Sequence, residues 1–267
     1  MAEKEMPDAH LEDPEDAPSL DDPAYQQGVF KDAYEQTCLQ LSGKGTGADM
    51  ATLRRINIAR NQAIDALAEG FAEDANADCR AGCSFCCHQM VVCTPVEIFD
   101  MARHILDEKS LVDMAAIKDR LTQRASLPLD VPSRRGIDKP CALLDDNRCA
   151  IYAQRPANCR TMLSTSRTAC ETSLITQEQI VPFIPEPGVI AFLMQLGIDY
   201  ALIKQSQLST EKVELSRALL IALEGFETAF KTWSDGEDAF PGCHIETGRG
   251  PSNQELAQRA AVQSGLL

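Results

Sequence analysis

The chemistry in this sequence belongs to its cysteines. Cys79, Cys83, Cys86 and Cys87 stand in the run CRAGCSFCC, and Cys141, Cys149, Cys159 and Cys170 follow after a long gap. Of eleven cysteines in the 267-residue chain, nine fall between Cys79 and Cys170. The overall content is below that of a disulfide scaffold, so the excess is local. Close-set thiols in a chain of this size point to metal, because a domain this long buries a core without covalent staples. Thiolate sites need sulfurs converging to within about 2.3 Å of one ion. Short Cys-x3-Cys and Cys-x2-Cys loops bring pairs of sulfurs together locally, and a distant group closes the coordination sphere. Eight thiols are enough for two four-thiolate sites, or for one cluster with spare thiols. Cys86 and Cys87 leave the backbone in different directions and could serve two sites or bridge two ions. Spacing leaves open which cysteine joins which site, and thiolates suit zinc, copper(I) and iron–sulfur centres alike.

Around this set lie residues that could tune it. Pro156 suits the first turn of a short helix, which would project Cys159 and Arg160. Arg155 and Arg160 either balance the charge of a multi-thiolate centre or form a loop-fixing pair with a carboxylate such as Glu97 or Asp145. Tyr152 either donates a hydrogen bond near the centre or is a packed aromatic. His88 is an accessory ligand candidate, Cys93 reads as a buried thiol, and Cys38 as a core residue. Cys243 and His244 form a second ligand pair by type, with an exposed loop pair as the default.

The pattern Cys-x3-Cys-x2-Cys-Cys, followed by Cys-x7-Cys-x-Ile-Tyr-x2-Arg-Pro-x2-Cys-Arg, resembles the YkgJ-type family of zinc- or iron-chelating cysteine-cluster proteins over Cys79 to Cys170. Cys149, Ile151, Tyr152, Arg155, Pro156, Cys159 and Arg160 all fall in place, with Glu97 after the first group. Ala142 stands where that family usually has Pro. The resemblance implies metal chelation by zinc or iron, a [4Fe–4S] cluster among the options. Flagellin lysine methylases carry a similar cluster, which gives the resemblance one enzymatic branch.

The elements that must position these thiols read as helices. The spacing predicts helices over Tyr25 to Leu41 and Met50 to Asp74, the latter with Leu53, Ile56, Ile64, Leu67 and Phe71 on its buried face. Thr94, Pro95 and Glu97 form a capping-box start for a helix to Glu108. Further helices are expected over Ser110 to Ala125, Gly188 to Gln205 and Thr210 to Thr232, with a short polar helix at the end. The second cysteine group reads as loop and short turns. With no alternating strand series, the expected class is mainly α: a helical domain organised around a loop-rich cysteine metal-binding cluster, with a disordered acidic tail. The expected division is a tail at 1–24, N-terminal helices at 25–75, the cysteine-cluster domain at 76–172, and a helical region at 173–267 that packs on it.

Charge and motifs exclude several functions. Net charge is −15, and nine carboxylates against Lys4 in the first 22 residues supply about half of it. That balance disfavours nucleic acid and anionic membranes as partners, and so small an apolar content cannot offset the cost of ordering the tail. No signal or transit pattern is read in MAEKEMPDAHLEDPEDA, which gives a cytoplasmic expectation. The apolar run Val189 to Ile203, interrupted by Gln195 and Asp199, is too short for a membrane span and reads as a core helix. Gly43, Gly45 and Gly47 lack the preceding strand and closing Lys-Ser or Lys-Thr of a phosphate loop. Cys79, Cys83 and Cys86 have radical-enzyme spacing but no β/α-barrel strands to carry it.

Three functions stay open. The first is a metal-binding structural or binding module with a protein or peptide partner. The second is an iron–sulfur enzyme acting on a protein or peptide, lysine-methylase-like or redox. The third is metal storage or delivery.

Overall fold

The computed structural model describes residues 19–42, 48–107, 113–129, 139–176, 180–245 and 251–266. Most of the acidic tail, the Gly-rich linker after Ser42 and most of the Pro-rich loop before Cys141 lie outside them. The described residues are mainly helical.

Helix α1 (Pro23–Leu41) starts two residues ahead of expectation, because Asp22 accepts the Ala24 N–H at 2.9 Å and Pro23 opens the first turn. Helix α2 (Met50–Asp74) begins at Asp49, whose carboxylate accepts the Thr52 N–H at 2.7 Å. After the first cysteines comes strand β1 (Val92–Cys93), then α3 (Pro95–Asp107). The capping box at α3 is as expected: Thr94 N–H donates to Glu97 Oε2 at 2.9 Å, and Glu97 N–H to Thr94 Oγ1 at 3.3 Å. Helix α4 (Met114–Ala125) starts later than Ser110, since Asp113 is its cap and accepts from Ala116 N–H at 3.0 Å.

The second cysteine group contains a hairpin of β2 (Leu144–Asp145) and β3 (Arg148–Cys149), then α5 (Ala157–Arg160) and α6 (Arg167–Thr176). Asp146 and Asn147, both at positive φ, make the two-residue hairpin turn. Helix α6 was not expected. Its start is supplied from far away in sequence, by Asp78 Oδ2 accepting Arg167 N–H at 2.9 Å, together with Ser166 Oγ accepting Ala169 N–H at 3.1 Å.

Helix α7 (Glu186–Ser206) follows, then β4 (Val213–Glu214), α8 (Leu215–Glu224), α9 (Phe226–Ser234) and α10 (Asn253–Gln263). The single helix expected over Thr210 to Thr232 is therefore two helices preceded by a strand. Val213 and Glu214 pair antiparallel with Cys93 and Val92, Glu214 then caps α8, and Gly225 breaks the run.

The main core joins α2, α3, α4, α8 and α9 to Ala142, Leu143 and Ile151 of the cysteine region. Phe99 is its centre, with the rings of Phe226, Phe230, Trp233 and Phe240 between 5.2 and 5.8 Å away. A smaller core of Phe30, Leu196, Tyr200, Ala257 and Ala261 joins α1, α7 and α10. Helix α7 is longer than its apolar run and apolar enough to cross a bilayer, yet 61% of its most apolar window is buried against the rest of the protein. A Cβ on Gly197 would collide with the Phe30 carbonyl, so Gly197 is what lets α1 lie against α7.

Candidate metal centre

Local turns position the first four cysteines. Cys83 N–H donates to Arg80 O at 2.9 Å across a turn whose third residue, Gly82, has φ +83°, a conformation that favours glycine. Cys86 and Cys87 sit on a 3-10 turn (Phe85–His88), which rotates successive side chains by about 120°. Cys79 lies in the irregular stretch after α2 and is tied to the loop before α6. Ser164 N–H donates to its sulfur at 3.3 Å, and Asp78 N–H donates to Ser164 O at 2.9 Å.

The second four reach the same neighbourhood by main-chain contacts. Cys141 N–H donates to Cys87 O at 2.7 Å, Leu144 N–H to Cys141 O at 2.9 Å, and Leu144 pairs with Cys149 in the hairpin. Ser84 Oγ reaches Asn147 Oδ1 of the hairpin turn at 3.0 Å. Pro156 stands just before α5, whose one turn presents Cys159 and Arg160. Cys170 is on α6, which packs against the 3-10 turn, and with Cys86 it lines a small cleft bordered by Phe85 and Leu174.

Three buried cations hold this assembly, two of which sequence reasoning missed. Arg124 on α4 donates to Gln89 O at 3.0 Å and also to Lys139 O, clamping the segment after Cys87 to the one before Cys141. Arg60 on α2 pairs with Glu97 at 2.7 Å, and the same carboxylate accepts Ala157 N–H at 2.8 Å, so Glu97 fixes the start of α5. Arg60 lies in line with Ile56 and Ile64 on the buried face of α2, and a cation on an apolar stripe was the available signal. No signal marked Arg124. The third is Arg160, which pairs with Asp65 of α2 and donates to the carbonyls of Ala153 and Arg155.

Both motif arginines therefore meet Asp65, Arg155 at 3.5 Å, rather than Glu97 or Asp145. Arg155 also covers the ring of Tyr152 at 3.9 Å, and Tyr152 is 62% exposed. His88 follows Cys87 on the 3-10 turn, half-buried. Cys93 is fully buried beside Cys159 and Cys141, a ninth thiol in the neighbourhood. Cys38 is half-buried against the core. Cys243 is not an exposed loop residue: it is buried in the main core, and His244 Nε2 lies 2.9 Å from Asp238 Oδ1.

The electrostatics are those of buried thiols held in their neutral form. Burial pushes up the thiols of Cys79, Cys141, Cys149, Cys159 and Cys170, and neighbouring sulfurs add to it. Cys86 is the exception, lowered to about 7 by the hydrogen bond from Cys87, with Arg155 assisting, while the Cys87 thiol is pushed up by that bond. A bound cation reverses this penalty, because it deprotonates the thiol it ligates. Burial opposes the charge on Glu97, but Arg60 and the N–H groups of Ala157 and Thr94 outweigh it and hold the carboxyl below its ordinary range. All eleven cysteines are free. Among the described residues no three Cys, His, Asp or Glu side chains stand close enough to hold one ion as they are. The donor set itself fits a thiophilic metal: eight sulfurs from four chain segments, backed by arginines.

This arrangement is that of a mainly helical protein with a cluster of cysteines held between its helices. Residues 78–179 match the family model CxxCxxCC, described as "Putative zinc- or iron-chelating domain", which bears out the cysteine-cluster resemblance over that segment. No curated protein and no solved structure matches the chain.

Proposed function

We propose that the chain is a metal-binding module in which zinc or iron, held by Cys79, Cys83, Cys86, Cys87, Cys141, Cys149, Cys159 and Cys170, fixes the cysteine loops against the helices and leaves a surface for a protein or peptide partner. The observation that carries this reading is the independent anchoring of every cysteine segment. Arg124 clamps the first to the second, Glu97 holds α5, and Asp78 holds α6. Such anchoring holds the cysteine segments against one another, which suits a fixed centre more than an exchangeable store. A cytoplasmic setting would keep the thiols reduced.

The test is metal content with acid-labile sulfide and an ultraviolet-visible spectrum, on protein purified without oxygen. Zinc or iron retained through purification supports the module. A chain free of both metals, and unable to take up either, refutes it.

One observation favours the iron–sulfur enzyme as a second reading. A cleft of about 760 Å³ opens between Phe192, Lys212, Asp238, His244 and Leu256 and reaches Asn158, the neighbour of Cys159. A substrate seated there would touch Asn158, one residue before Cys159, with no cysteine among the residues that line the cleft. Iron with sulfide would bring this reading forward, and zinc alone would set it aside.

A further inference from the structure

We propose that the eight thiols form two separate four-thiolate sites divided at the Cys86–Cys87 peptide bond: Cys79, Cys83, Cys86 and Cys170 in one, and Cys87, Cys141, Cys149 and Cys159 in the other. This rests on the metal-binding reading and adds to it the number of ions and the partition of ligands.

The division follows the wiring of the fold. On one side Ser164 is the common partner. Its N–H meets the Cys79 sulfur at 3.3 Å, its Oγ accepts Ser166 N–H at 3.1 Å just before the helix that carries Cys170, and Asp78, next to Cys79, caps that helix. The turn from Arg80 to Cys83 brings Cys83 back toward this pair, and Cys86 shares a cleft with Cys170. The thiols acting most strongly on Cys79 are Cys83, Cys86 and Cys170, and those acting on Cys170 are Cys83 and Cys86.

On the other side the hairpin is the common frame. Cys87 holds Cys141 through the main chain, Cys141 holds Leu144, and Leu144 pairs with Cys149. The sulfur neighbours of Cys87 beyond Cys86 are Cys141 and Cys159, and those of Cys159 include Cys141 and Cys149. The sulfurs of Cys86 and Cys87 are themselves neighbours, so the vicinal pair marks where the two sides meet. Cys86 is the hinge of the arrangement, since it also neighbours Cys141 and Cys159. One centre shared through Cys86 is therefore the rival arrangement.

Counting ions separates them. The full chain would be expressed in zinc-supplemented, iron-depleted medium, purified without oxygen, and its zinc per chain measured by plasma emission. The expected result is two zinc ions for the wild type, one for C79S/C170S, and one for C141S/C149S. Cobalt(II) substitution of either double variant should retain the charge-transfer intensity of a four-thiolate site. Loss of both ions in either folded double variant, or a single ion in the wild type, would overturn the partition in favour of one shared centre. A wild type that takes up no metal would instead remove the reading on which the partition rests. If C141S/C149S fails to fold by circular dichroism, C79S/C170S decides alone, since Cys79 is exposed and Cys170 half-buried.

Discussion

Replacing Glu97 by Ala tests whether the helical body really positions the cluster. The carboxylate is 4% exposed and accepts three charge-assisted hydrogen bonds, from Arg60 at 2.7 Å, Ala157 N–H at 2.8 Å and Thr94 N–H at 2.9 Å. Its removal leaves the Arg60 guanidinium, itself 4% exposed, without its charge partner. Breaking a buried pair from one side costs about 3–5 kcal/mol. For a chain of this size, each kcal/mol moves the melting temperature by roughly 2–4 °C, so a fall of about 6–20 °C is expected. Removing both partners as R60M/E97L should cost much less than the two single changes added together, because neither charge is then stranded.

The pH dependence follows from the same group. Its folded pKa lies below the ordinary value of 4.5, so its stabilisation is fully present above that pH and fades as pH falls through the folded value. The gap between wild type and E97A should therefore be constant from pH 5 to 7 and shrink in more acidic buffer. Thermal melts by circular dichroism across this range, at fixed metal, read both effects. Strictly additive single changes, or a loss for E97A under about 1 kcal/mol, would refute the role given to the buried pair.

Serine at Cys86, Cys87, Cys149 or Cys159 should lower bound metal, whereas Cys38→Ser should not; full metal content in all four variants, by plasma emission, would sink the ligand assignment. Arg124→Ala frees the Gln89 and Lys139 carbonyls and should raise hydrogen exchange at Cys87 to Gln89 and Cys141, with unchanged exchange there counting against the clamp. Gly197→Ala should cost about 1–3 kcal/mol by forcing α1 from α7, and a neutral result in urea melts would show that the helices yield freely. Burial raises Asp199 to about 6, so the stability it contributes is present at low pH and lost as pH rises through about 6. Overall stability in urea melts should thus be higher at pH 5.5 than at 7.5, and D199N should flatten that difference.

Which of these features the sequence could show depends on the range of the interaction behind each. The helices α2 and α3 were legible because their signals are local: apolar residues at helical spacing, and Thr94 with Glu97 three residues on. The cysteine-cluster resemblance was legible because its motif is local in sequence, a run of spaced cysteines followed by Ile151, Tyr152, Arg155, Pro156 and Arg160 at fixed offsets. Helix α6 was not legible, since Asp78 supplies its cap from far upstream, and neither was the split of α8 from α9, where Val213 and Glu214 are recruited as a strand by Val92 and Cys93. The partner of Arg155 and Arg160 was likewise a tertiary matter. Nearby acids such as Glu97 and Asp145 were equally plausible on paper, but the face of α2 carries Asp65 to both guanidinium groups while Arg60 occupies Glu97. The sequence by itself determined a mainly helical chain with a cysteine cluster of the family-model type. Only the tertiary structure decided which elements hold those residues together, because a buried charge takes whichever partner the packing of distant segments delivers.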